Sequence, residues 1–75
     1  MTPTEQDLKS LGFIVYGDGR IIYDFYHPIF GHCTILVILG VNQIKLIGEK
    51  FSMRPEKLTP KSLDLFIRFA KGEKL

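Results

Sequence analysis

Asp24, His27, His32 and Cys33 bring a carboxylate, two imidazoles and a thiol into one short stretch, the only cluster in this chain with metal-ligand chemistry. Zinc accepts such donors. The spacing argues against a site, because there is no second cysteine and no finger-type repeat. His32 and Cys33, if they begin a strand, also point to opposite faces. Two loop imidazoles beside a small buried thiol are the expected arrangement, with no metal and no other cofactor. A Cys–His nucleophile fares no better. Such chemistry needs a partly exposed thiolate with a base in reach, and Cys33 opens the most apolar run of the chain, where burial raises a thiol's pKa and keeps it inert. Asp24, Glu49 and Asp64 show no pairing suited to acid–base work. Gly17-Asp18-Gly19 joins two strands and does not lead into a helix, so it reads as a turn and not as a phosphate loop. No catalytic residue is assigned, and an enzyme is not expected.

Surfaces remain. Two cations face four carboxylates up to Val41, whereas eight cations face four carboxylates beyond it, so the net charge of +2 hides a basic C-terminal half. Lys45, Lys50, Arg54, Lys57, Lys61, Arg68 and Lys71 are the residues a nucleic acid would meet there, with tyrosines available for stacking. A solvated basic face explains them as well. The sharper signal is apolar. With 45% hydrophobic residues, a chain of 75 residues has more apolar faces than one small core uses. Ile14, Tyr16, Ile22 and Tyr26 fall on one side of a predicted hairpin, and Leu65 and Phe69 form a ridge beside the main stripe of a predicted helix. These six residues are the expected interface of a homodimer or of another protein partner. Phe69→Asp is then expected to separate a dimer without unfolding it.

The elements that position these groups follow from capping and periodicity. Thr2-Pro3-Thr4-Glu5 reads as a helix start with Thr2 as the cap, running to about Ser10 or Leu11 before Gly12. Phe13–Tyr16 and Arg20–Tyr26 form a hairpin. A three-residue loop with Gly19 left-handed pairs Val15 with Ile21, which puts Leu11, Phe13, Val15, Ile21, Tyr23 and Phe25 on the core face. A two-residue loop would set Asp24 opposite Phe13. His27–His32 is a connection, and Cys33–Leu39, with no polar alternation, reads as a central strand covered on both faces. Gln43–Met53 fits a strand interrupted at Gly48 by a bulge, and also fits helical spacing behind Asn42. Thr59-Pro60 opens a helix closed by Gly72, with Leu58 stapled onto Leu63 and Leu63, Phe66, Ile67 and Ala70 facing the sheet.

Together these give one α+β domain over residues 1–75: a short N-terminal helix, an antiparallel meander of three or four strands, and a C-terminal helix packed on it (α-β-β-β-β-α). A domain of this size is marginal alone, and a lone Cys33 cannot form an internal disulfide, so self-association is the expected remedy. The longest apolar run, Cys33–Val41, is too short to span a bilayer, so no membrane partner is expected. Residues 1–12 are polar and lack a leader pattern, which makes the cytoplasm the expected location.

Overall fold

Two threonines decide where the helices begin. In the computed structural model of the chain, which describes residues 2–73, α1 spans Glu5–Ser10 and α2 spans Pro60–Ala70. The hydroxyl of Thr4 accepts the Asp7 N–H while the Asp7 carboxylate accepts the Thr4 N–H, and Thr59 exchanges the same pair of bonds with Ser62. Helix N–H groups that have no intrahelical acceptor are satisfied in this way. The cap of α1 therefore lies at Thr4 and not at Thr2. Burial explains the shift: a cap at Thr4 places Pro3 and Leu8 at the two staple positions, and both are buried, whereas a cap at Thr2 would have assigned polar Gln6 to one of them. In α2 the staple positions hold Leu58 and Leu63, both buried as expected. Gly12 and Gly72, with φ of 102° and 95°, follow the two helices in the left-handed region.

Between the helices lie β1 (Ile14–Val15), β2 (Arg20–His27), β3 (Gly31–Ile38), β4 (Gln43–Gly48) and β5 (Glu56–Lys57). They form one antiparallel sheet in the order β1-β2-β3-β4-β5. The α+β meander expected from the sequence is present, extended by a short fifth strand. The first hairpin has the three-residue loop, with Val15 opposite Ile21 and Gly19 at φ 91°. Asp18 closes that loop by accepting the Arg20 backbone N–H at 3.1 Å and its Nε at 2.7 Å, contacts that hold the carboxyl below its usual range.

The β2–β3 connection is tighter than the sequence suggests. Pairing continues to His27 opposite Gly31, leaving only Pro28, Ile29 and Phe30 in the loop. His27 itself permits this, since its Nδ1 accepts the N–H groups of Ile29 at 3.0 Å and Phe30 at 3.3 Å. For residues 43–53 the strand prevails over the helix, because β4 pairs with β3 along its whole length. Gly48 ends β4 and is not a bulge. Its N–H donates to the Phe51 carbonyl at 2.8 Å, and the Phe51 ring fills the space that a Cβ at position 48 would need.

Alternation along the strands then builds the core on one side only. Ile21, Cys33, Ile35, Val37, Ile44 and Leu46 meet Leu8 of α1 and Leu63, Phe66 and Phe69 of α2 in a single cluster. Both helices thus occupy the same face of the sheet. Among the described residues β3 is covered on that face alone, contrary to the two-sided cover its composition suggests: Thr34, Leu36 and Ile38 on its other side are only half-buried. Two more positions differ. Leu11, expected in the core, is the C-cap of α1 and is exposed. Phe69, expected on an outer ridge, is 4% exposed. The long β2–β3 hairpin carries Phe25, His27 and Phe30 to the last turn of α2, where Phe69 stacks on His27 at 4.3 Å and meets the rings of Phe25 and Phe30.

Candidate functional site

The face of the sheet opposite the helices is the first candidate. Register sets Ile14, Ile22, Leu36 and Lys45 in one row across β1 to β4, with Arg20, Ile38 and Gln43 in the next row on one side and Asp24, Thr34 and Ile47 in the next on the other. Side chains two apart along a strand share a face, so Tyr16 and Tyr26 belong to the same surface. Ile14 is 61% exposed, Tyr26 is 76% exposed and Tyr16 is also exposed, while Ile22 is half-buried. Four of the six residues expected at an interface therefore lie together. The other two do not join them. Phe69 is in the core, and Leu65, 39% exposed, lies on α2 on the opposite side of the sheet. Leu36, Ile38 and Ile47 belong to the open face and were not read from the sequence. The signal was the parity of β3, which a continuous apolar run conceals.

The polar groups of this face are few and mostly engaged. Asp24 accepts the Thr34 hydroxyl at 2.6 Å and lies 3.6 Å from the His32 Nε2, whose ring in turn neighbours Tyr26. The Arg20 guanidinium lies 5.4 Å from the Tyr16 ring centre. The donor cluster that suggested a metal is split by the sheet itself: Asp24 and His32 lie on the open face, His27 and Cys33 on the core face. No group of three or more candidate ligands converges among the described residues. Cys33 is buried, and its desolvation, aided by the Glu49 carboxylate, pushes the thiol above its ordinary value.

The basic residues do not form one stripe. Lys45 lies on the open face in the row of Leu36, Lys50 and Arg54 occupy the segment after β4, Lys57 sits on the edge strand β5, and Lys61 and Arg68 lie on the exposed side of α2 with Lys71 just beyond. Arg68 is held by Glu73 at 3.1 Å and by Asp64 at 3.9 Å. No helix among the described residues is long and apolar enough to cross a membrane.

A second concavity opens on the core side, at the end of the sheet where the β2–β3 loop meets the segment after β4. About 410 Å³ in volume, it is walled by His27, Phe30, Leu46, Phe51, Met53 and Phe69, with Ile29 at its margin. Among the described residues that wall it, only His27 brings a side-chain N–H or O–H group. Sequence reasoning missed this cavity because its walls come from segments far apart in the chain.

No family model matches the chain, and neither curated proteins nor solved structures provide a match.

Proposed function

We propose that this chain is a small, non-catalytic interaction module of a reducing, cytoplasmic setting, and that its partner is a second copy of itself docked on the open sheet face. The observation that carries this reading is the uncovered apolar row of Ile14, Ile22 and Leu36 across three strands. Charge placement favours a second copy over an unrelated protein. Arg20 and Asp24 flank Ile22 on β2, so a two-fold axis that lies between the facing sheets at Ile22 and crosses β2 at right angles sets each Arg20 against Asp24 of the other copy, an isologous contact. The face is small. Four strands at ~4.8 Å and five residues at ~3.4 Å give a footprint of roughly 300 Å² per copy, about 600 Å² for the pair, which is below the range of stable interfaces and suits only a weak, transient contact. A weak dissociation constant, on the order of 100 micromolar, is the corresponding expectation.

Sedimentation equilibrium across that concentration range, at low and high salt, tests the reading. The wild type should dimerise and keep its dimer at high salt, since apolar burial is not screened. Leu36→Lys, which stands opposite Lys45, should be monomeric and melt somewhat lower while keeping the far-UV circular dichroism spectrum of the folded chain. A wild type that stays monomeric, or a Leu36→Lys variant that dimerises equally, overturns the proposal. Adding a short mixed-sequence oligonucleotide examines the basic half: binding that disappears as salt rises would favour nucleic acid instead.

A further inference from the structure

His27, which lines the cavity beneath the β2–β3 loop, carries a group that the fold leaves unpaired. Backbone N–H groups only donate, so the two bonds from Ile29 and Phe30 require a bare Nδ1 on His27 and put the ring proton on Nε2. That Nε2 is buried, the residue being 2% exposed, and it has no hydrogen-bond partner among the described residues. A buried donor without an acceptor costs stability, and native proteins rarely keep one without a use. His27, the residue that carries this donor, is also part of the wall of a cavity otherwise built from Phe30, Phe51 and Phe69 rings and from the Leu46 and Met53 side chains. At about 410 Å³ the cavity falls at the small end of ligand-sized pockets.

We propose that this cavity binds a small, uncharged, aromatic molecule carrying one hydrogen-bond acceptor, such as an aryl ketone, with the acceptor placed on His27 Nε2–H. Three observations select this class. The ring-lined wall suits an aromatic body, which packs edge-on or offset against Phe30, Phe51 and Phe69. The single free polar group is a donor, so the ligand must accept. A charged acceptor is disfavoured, because a carboxylate brought into an apolar cavity that offers it a single N–H donor loses its hydration uncompensated. Entry lies beside Ile29 and Phe30, both exposed. Nε2 has almost no accessible surface of its own, so a neighbouring side chain must shift as the ligand seats. Half-exposed Phe30 and flexible Met53 are placed to do so.

The test compares acetophenone, ethylbenzene and benzoate, three probes of one size that differ in acceptor and charge, titrated into ¹⁵N- and methyl-labelled protein and followed by NMR. Acetophenone should bind about tenfold more tightly than ethylbenzene, the contribution of one good hydrogen bond, with benzoate weakest. Shifts should centre on the His27 Nε2–H and on the Leu46 and Met53 methyl groups. Met53→Trp, which fills the cavity from a half-buried position, should abolish binding of all three probes. His27→Phe keeps a ring in the wall and should bring acetophenone and ethylbenzene to equal affinity. If ethylbenzene matches acetophenone in the wild type, if no probe shifts the cavity resonances, or if Met53→Trp binds as the wild type does, the proposal fails. The wild-type comparison and Met53→Trp keep the test decisive even where His27→Phe does not fold.

Discussion

Gly48 and Phe51 show how a single residue type can be dictated by a neighbour's bulk. Gly48 has no positive φ to explain it; the constraint is the Phe51 ring occupying the place of a Cβ. Gly48→Ala should therefore destabilise the protein by ~1–3 kcal/mol, the range for overpacking, and most of that loss should vanish in a Phe51→Ala background. Urea denaturation of the two single variants and the double measures the coupling, and simple additivity would refute the steric cause. Cys33 makes a separate prediction. Its thiol is raised above the ordinary value of 9.0, chiefly by burial. The folded state then holds its proton more tightly than the unfolded one, so stability is unaffected by this group below the ordinary thiol range and falls as pH climbs through and above it. A wild type that loses more stability than Cys33→Ala between pH 8 and pH 10 would bear this out. Equal losses would mean that the thiol does not titrate differently on folding.

At the scale of elements, the capping pairs tie helix to sheet. Ser62 accepts the Thr59 N–H and donates to the Lys57 carbonyl at 2.9 Å, so the cap of α2 also anchors β5. Thr59→Ala should cost ~1 kcal/mol. Ser62→Ala should cost at least as much and additionally raise hydrogen exchange around Leu58, whose N–H bonds the Asn42 carbonyl; unchanged exchange there would show that β5 is held by other contacts. The same elements explain what could be read from the chain. Thr59-Pro60, the Gly17-Asp18-Gly19 loop and the pairing of Val15 with Ile21 were legible because each rests on contacts within a few residues. The start of α1 was misplaced because Thr2 and Thr4 both precede an acid by three, and only the burial of Pro3 and Leu8 distinguishes them. Phe69 was misassigned because a helical stripe cannot reveal that the β2–β3 hairpin extends to meet it. The open face was half visible: Ile14, Tyr16, Ile22 and Tyr26 follow from hairpin register, but Leu36, Ile38 and Ile47 required knowing that both helices choose the other side.

That choice governs the whole molecule. Seven of the ten cations lie beyond Lys45, yet the proposed pairing depends on the acidic N-terminal half, where β2 carries Arg20 and Asp24 on either side of Ile22. A two-fold face-to-face dimer uses each of these charges once per copy, so reversing one converts two attractions into two repulsions. Arg20→Asp and Asp24→Arg should each weaken the dimer roughly tenfold at low salt, since exposed pairs contribute a few tenths to one kcal/mol apiece. The double reversal should recover wild-type affinity, because the swapped charges again face their opposites. Each single variant also forfeits a contact inside the protomer, Arg20 to Asp18 or Asp24 to Thr34, and the double variant forfeits both. Recovery in the double therefore cannot come from within one copy. The differences should shrink at high salt, where the Debye length falls to ~3 Å at 1 M, while the apolar contribution of Ile22 and Leu36 persists. Sedimentation equilibrium on the four proteins decides the matter: two weakened singles and a restored double place Arg20 opposite Asp24 of the second copy, whereas a double weaker than either single removes the two-fold axis at Ile22.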